Sequence, residues 1–158
     1  TGHLVFSTLH TNDAVGTIVR LINMGVEPFL VCSSLSLAVA QRLVRKVCPH
    51  CKESYEPSKE LLRNLGMDGK AQEKLRFNQG KGCHRCKDTG YYGRTAICEM
   101  LEIKTLVRNA ILNGADIEGI RRVSLEQGMT TLRERGLQKV SDGITTPEEV
   151  LRATIEED

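Results

Sequence analysis

There is no tryptophan in this sequence, and three phenylalanines and three tyrosines are all the aromatics in 158 residues. Base-stacking platforms for nucleic acid are built from such side chains, so that class of binding has little to work with. A surplus of one charge is lacking too: 22 Lys and Arg stand against 20 Asp and Glu, a formal net charge of +2. Bulk electrostatics of that size exerts no strong pull toward a polyanion or an anionic membrane, and nucleic acid is not expected as a partner. No apolar run reaches the roughly 20 residues needed to span a bilayer, and no stretch has the architecture of a signal peptide. The phosphate-cradling pattern GxxxxGK[ST] does not occur, so nucleotide binding does not follow from these residues alone. What remains is a chain long enough to bury a core, as one domain or as two small ones. It opens at Thr1 on a pattern already inside a strand, and is expected to be a piece of something longer.

Cysteine is what the sequence does have. Four of its six cysteines fall in two pairs, CPHC at Cys48 and Cys51 and CHRC at Cys83 and Cys86. Each pair places two thiolates on one tight turn, and four thiolates complete a tetrahedron around Zn²⁺. The gap of 31 residues between the pairs is longer than in compact zinc ribbons, but it has room for a helix. Two redox CxxC motifs or two disulfides are the competing readings, and zinc is preferred because a redox motif would open a helix after a strand. An all-cysteine set leaves no open position for water, so the site is expected to be structural. His50 and His84 are expected to point away, and Lys52 and Arg85 to offset the negative charge of the centre. Cys32 and Cys98 stand alone in apolar surroundings and read as buried reduced thiols. A disulfide framework would be denser in a smaller chain, which places the protein in a reducing compartment.

The predicted elements follow from periodicity and caps. A strand over Leu4–Leu9 is followed by a helix capped by Asn12 or Asp13, with Val15, Ile18, Val19 and Ile22 on one face and Gly25 as its stop. Pro28 suits the first turn of a second helix, expected from about Glu27 to Lys46 and apolar nearly all round. A short helix is expected in PSKELLRNLG between the cysteine pairs, and a strand or hairpin arm in TAICEMLEI. Four short helices follow. The first carries Ile103, Leu106, Val107, Ala110 and Ile111 and stops at Gly114; the second starts at Asp116. The third opens on a Thr131–Glu134 capping box, and the fourth on Thr146, Pro147 and Glu149. The expected fold class is α+β and mostly helical. Its expected parts are residues 1–47, a tetracysteine subdomain at 48–102 and a helical bundle at 103–158.

The stretch LVFSTLHTND poses the functional question. A strand buried on both faces in an α/β sheet would put Ser7, Thr8, His10, Thr11 and Asn12 at its carboxyl end, where ligands gather. A helix N-terminus follows at once, and its free N–H groups favour anions. The plainer reading is a polar turn whose Thr11 and Asn12 cap the helix, and the residues alone leave both readings open.

These residues together resemble one family. TGHLVFSTLHTNDA is similar to the His box of the secretion ATPases that power type II secretion and assemble type IV pili. The similarity continues through MGVEPFLVCSSLSLAVAQRLVRKVCPHC, GCHRCKDTGYYGRTAICEML and GMTTLRERGLQKVSDGITTPEEVL, in the family's order, with Ala96 and Cys98 as small departures from its GRTGIYE pattern. The resemblance implies the C-terminal part of a RecA-like hexameric motor whose Walker A, Asp-box and Walker B elements lie before Thr1. It implies His10 near the γ-phosphate of ATP as a sensor, His3 as the second histidine of the box, and Thr8 and Thr11 as supporting polar groups. Arg42 is a weaker nucleotide-proximal candidate, with a solvated basic helix end as its plainer reading. Further implications are Mg²⁺ with the ATP, a homo-hexamer, an inner-membrane platform protein as partner, and a cytoplasmic location at the bacterial inner membrane. The isolated chain is expected to be inactive. A non-enzymatic zinc module for protein or nucleic-acid binding, using Tyr91, Tyr92 and nearby basic residues, is the rival from another class, and a thiol redox protein is a second. The first 30 or so residues are expected to be the least stable part, because their sheet partners would lie outside the chain.

Overall fold

The computed structural model describes residues 2–67 and 76–155. Among them are seven α-helices and two small two-stranded sheets, in an α+β arrangement. In chain order these are α1 (Ala14–Asn23), α2 (Pro28–Ser34), β1 (Leu37–Val47), β2 (Lys52–Ser54), α3 (Lys59–Asn64), β3 (Asn78–Gly80), β4 (Tyr91–Glu102), α4 (Thr105–Leu112), α5 (Ile117–Glu126), α6 (Leu132–Ser141) and α7 (Pro147–Thr154). A single 3₁₀ turn, His84–Cys86, precedes β4. β1 pairs with β4, and β2 pairs antiparallel with β3 in the register Lys52 to Gly80 and Ser54 to Asn78.

The chain forms two compact units. One holds the residues up to Ala40 together with Glu99–Thr130, and the other holds Gln41–Cys98 with the residues from Thr131 onward. The four C-terminal helices are therefore divided between units: α4 and α5 belong with α1 and α2, while α6 and α7 belong with the cysteine-bearing loops. This partition is not the sequential one expected from motif boundaries, since each unit is closed by a return of the chain.

In the first unit α1 packs on α2 and α5, and α4 packs on α2 and α5. Ala14, Val15 and Ile18 on α1 are fully buried, with Val31, Leu101, Ile103, Val107, Ile111 and Ile120 also in the core. The Asp13 side chain caps α1 by accepting the Gly16 N–H at 2.6 Å, as the sequence suggested. Asp116 does the same for α5 through the Gly119 N–H at 2.8 Å.

Two elements of this region differ from expectation. The second helix ends at Ser34 rather than continuing to Lys46, and Leu37–Val47 is a strand. An apolar run does not by itself distinguish a buried helix from a strand. Here the ladder partner is β4, more than 40 residues downstream, and pairing with it overrides the local preference. The expected strand at Leu4–Leu9 is absent: the segment has no regular secondary structure and lies outside both sheets, with Leu4 and Val5 each 78% and Phe6 88% exposed. No strand among the described residues pairs with it, and a segment without a ladder partner cannot be buried on both faces. The weakly packed segment thus ends near Asp13, because α1 and α2 are already inside a core.

In the second unit, Leu62, Leu65, Met67, Phe77, Val140 and Val150 form one apolar cluster between α3, α6 and α7. The Thr131–Glu134 capping box of α6 is present in both directions, and Thr146 caps α7 with Pro147 in its first turn. The Glu149 carboxylate, however, does not turn back to close a box. It accepts the Arg45 backbone N–H at 2.9 Å and the Arg45 guanidinium at 2.6 Å from β1, and Arg152 from its own helix at 2.9 Å. Arg45 also stacks over the Tyr91 ring, 4.0 Å from its centroid, while the Tyr91 hydroxyl lies 3.0 Å from the Thr146 hydroxyl.

Glu149 is 1% exposed. Burial alone would raise its pKa, but the hydrogen bonds from Arg45 and Arg152 prevail and hold the carboxyl down to about 2. A carboxyl whose folded pKa lies below its ordinary 4.5 contributes stability that is fully present above about pH 4.5. That stability is lost as pH falls through the folded value. The displacement corresponds to about 3 kcal/mol. Glu149→Gln is expected to cost about 1–3 kcal/mol at neutral pH and to flatten the acid limb between about pH 4.5 and pH 2. Denaturant titrations at several pH values check both, and an unchanged acid limb would show that the arginines do not set the carboxyl's affinity for protons.

Candidate functional site

The two cysteine pairs come together. Cys48 and Cys51 flank the turn between β1 and β2, while Cys83 precedes and Cys86 ends the 3₁₀ turn before β4. Their four sulfurs all lie within 4.8 Å of one another. Cys48 and Cys83 are 3.9 Å apart, Cys51 and Cys86 3.9 Å, and Cys83 and Cys86 3.7 Å. A tetrahedron of thiolates about 2.3 Å from a zinc ion has edges of about 3.8 Å, so the spacing fits a four-coordinate metal. All six cysteines are free thiols. A disulfide would bring two sulfurs to about 2.05 Å, so the two-disulfide reading is not what the geometry shows.

The local backbone is arranged around these sulfurs. The Cys83 and Gly90 N–H groups donate to Cys86 Sγ at 3.2 and 3.3 Å. The Cys48 N–H donates to the Gly90 carbonyl and the Lys81 N–H to the Cys51 carbonyl, which fastens the two turns to each other. Lys87 and Asp88 adopt left-handed backbone conformations, with φ of 53° and 60°. This folds the chain back so that the Asp88 N–H reaches the Cys83 carbonyl at 3.0 Å. Burial opposes ionisation of Cys86, but the Cys83 and Gly90 N–H groups and the neighbouring thiols bring it down to about 6. Burial pushes Cys51 in the other direction, to about 12, and the surrounding thiols add to the rise. A divalent ion that binds here must displace thiol protons from the cluster.

The polar neighbours behave differently from expectation in one case. Lys52 does not face the sulfurs: its ammonium donates to the Gly143 carbonyl at 2.8 Å, joining β2 to the end of α6. Arg85, His50 and His84 are exposed, and neither histidine is among the groups close enough together to hold a metal.

The second candidate site lies in the other unit. His3, Thr8 and His10 are exposed on the N-terminal segment, and Thr11 is half-buried with its hydroxyl 3.0 Å from that of Thr17. Arg42 lies on β1 and is exposed, so the basic helix end considered for it does not exist. Two backbone N–H groups at the start of α1 have carboxylate partners within the protein. The Gly16 N–H is taken by Asp13 and the Ala14 N–H by Oε1 of Glu99, at 2.9 Å. The Asp13 carboxylate is in turn paired with Arg121 at 2.6 Å. Glu99 and Arg121 were not legible as part of this site. They reach it from 85 and 108 residues away, and no periodicity or spacing carries that information.

A family model described as Type II/IV secretion system protein matches residues 1–152. Over 156 residues the chain is 50% identical to the type IV pilus assembly ATPase PilB of Thermus thermophilus, covering 99% of this chain and 18% of that one. It is 47% identical over 156 residues to the type II secretion system ATPase E of Vibrio cholerae, covering 99% and 30%. It is 45% identical over 157 residues to the type II secretion system protein E of Pseudomonas aeruginosa, covering 99% and 31%. The chain thus spans less than a third of the length of these curated relatives. No helix among the described residues is long and apolar enough to cross a membrane.

Proposed function

Because the chain belongs to the Type II/IV secretion system protein family, we propose that it serves as the C-terminal region of a motor ATPase for type II secretion or type IV pilus assembly. The observation that carries this reading is an identity of 45–50% to pilus-assembly and secretion relatives through nearly the whole chain. In this reading residues 1–47 border a RecA-like core, 48–102 carry the zinc ligands, and the helices of 103–158 are divided between the two units. The motor works as a homo-hexamer on an inner-membrane platform protein, from the cytoplasmic side.

Cys48, Cys51, Cys83 and Cys86 would hold Zn²⁺, since an all-thiolate set at tetrahedral spacing suits that ion and leaves no position for water. Zinc there supplies a cross-link between the two cysteine turns. ATP with Mg²⁺ supplies the phosphoanhydride whose hydrolysis drives the motor, and groups outside these 158 residues cradle it. The part of this chain is to present His10, supported by His3, Thr8 and Thr11, as a hydrogen-bonding sensor of the terminal phosphate. A sensor benefits from a segment that moves at low cost, and residues 2–12 bury little apolar surface. Arg42, on β1, is a separate candidate for contact with nucleotide.

The test uses the longer protein and this chain side by side. His10→Ala in the longer protein is expected to lower ATP turnover by about 10²-fold while zinc content stays at one per chain. This chain alone is expected to show no turnover. Full turnover in His10→Ala, or turnover by the 158-residue chain at the rate of the longer protein, would sink the reading.

A further inference from the structure

The first turn of α1 is held in place from outside its own segment. Glu99 on β4 is 2% exposed and accepts the Ala14 N–H at 2.9 Å. Asp13 divides its carboxylate, with Oδ1 accepting the Gly16 N–H and Oδ2 meeting the Arg121 guanidinium, both at 2.6 Å. Arg121 stands on α5 with its side chain 24% exposed, and its Nε lies 3.6 Å from Glu118. One capping carboxylate is sufficient to start a helix. A second, buried carboxylate and a guanidinium from another helix cost desolvation that an apolar residue would avoid, so stability alone is weak justification for them. What they add is direction. Asp13 cannot rotate without breaking its contact with Arg121, and the start of α1 cannot shift without leaving Glu99. The Thr11 and Thr17 hydroxyls, 3.0 Å apart, carry that constraint back into the exposed segment.

We propose that Glu99 and Arg121 are positioning residues for the His10 segment: they fix the backbone from Thr11 to Gly16 and so the direction from which His10 meets the terminal phosphate. This rests on the sensor reading of His10 given above. It makes α5, more than a hundred residues away in sequence, part of the machinery of the site without touching nucleotide. An arginine is suited to the task because its planar fork holds a carboxylate in one orientation, whereas an ammonium holds it only at a point.

The experiment follows the ring signals of His10 by NMR in this chain, with His50 and His84 as internal references. Arg121→Gln and Glu99→Gln are expected to shift the His10 ring signals and the Thr11 and Asn12 amides while His50 and His84 stay in place. Arg121→Lys is expected to recover only part of the shift. In the longer protein, Arg121→Gln is expected to lower kcat about tenfold or more with KM for ATP unchanged, and the His10→Ala, Arg121→Gln double variant to be no slower than His10→Ala alone. Unmoved His10 signals in a folded Arg121→Gln chain, or losses in the double variant that multiply, overturn the proposal. Should Arg121→Gln fail to fold, Glu99→Gln and Asp13→Asn carry the same readouts. If the ring signals move while His10→Ala leaves turnover intact, the ATP-sensing reading is what fails, and the positioning of the segment by Glu99 and Arg121 remains.

Discussion

Removing zinc from the purified chain is expected to unfold the cysteine turns and lower the melting temperature of their unit by roughly 10 °C or more. The reason is that β1 and β4 anchor one end of each cysteine turn, whereas the other end leads only into β2 and β3. β2 and β3 are three residues each, too short to persist as an isolated pair. Three of the sulfur pairs are 3.7–3.9 Å apart and all four sulfurs lie within 4.8 Å of one another, a spacing that four-coordinate zinc satisfies. Cys86→Ser is expected to abolish stoichiometric zinc because it removes both a ligand and the acceptor of two backbone N–H groups. The measurements are zinc content, thiol titration under native conditions and thermal unfolding before and after chelation. One zinc per chain with four protected thiols supports the assignment. Four thiols that react freely in the native, folded chain would remove it.

Gly80→Ala is expected to be the most damaging single change to the second unit after loss of the metal, at about 3–5 kcal/mol. A Cβ built on Gly80 falls on the Gly90 carbonyl, and one built on Gly90 falls on the Gly80 carbonyl. Backbone meets backbone there, so no side chain is available to rotate away. Gly90 carries two further duties: its N–H donates to Cys86 Sγ and its carbonyl accepts the Cys48 N–H. Pushing these two backbone segments apart therefore loosens both cysteine turns, and weaker zinc retention is expected along with the stability loss. Gly66→Ala makes the informative comparison. Gly66 has φ of +72° but open space around its Cβ position, so its substitution costs only the backbone strain, about 1–2 kcal/mol. Denaturant unfolding of the two variants separates close approach from conformational strain, and equal losses would refute the steric account.

Much of the helical content was legible because its signals are local. Asp13, Asp116, Thr131 and Thr146 cap the helices that follow them, and a cap needs only a side-chain oxygen within three residues of the N–H it accepts. The four cysteines were legible as a set for a related reason, since CxxC spacing already places each pair on one turn. The strand at Leu37–Val47 was not legible. Its run of Leu, Val and Ala suits either element, and its pairing partner β4 lies far along the chain. The division of the C-terminal helices between two units was also hidden, because each helix has a single apolar stripe that does not name the surface it will cover.

For the candidate sites the boundary falls in the same place. The amino-acid sequence by itself determined which residues have the chemistry: four thiols in paired turns, and a histidine among hydroxyls ahead of a capped helix. Only the tertiary structure decided how that chemistry is arranged. It brought the two pairs to tetrahedral spacing, turned Lys52 away from the sulfurs, gave Glu149 to Arg45, and set Asp13 and Glu99 at the start of α1. Caps and turns are decided by atoms a few residues apart. Ion pairs and buried carboxylates are decided by which distant segments the hydrophobic cores press together, and that information is spread over the whole chain.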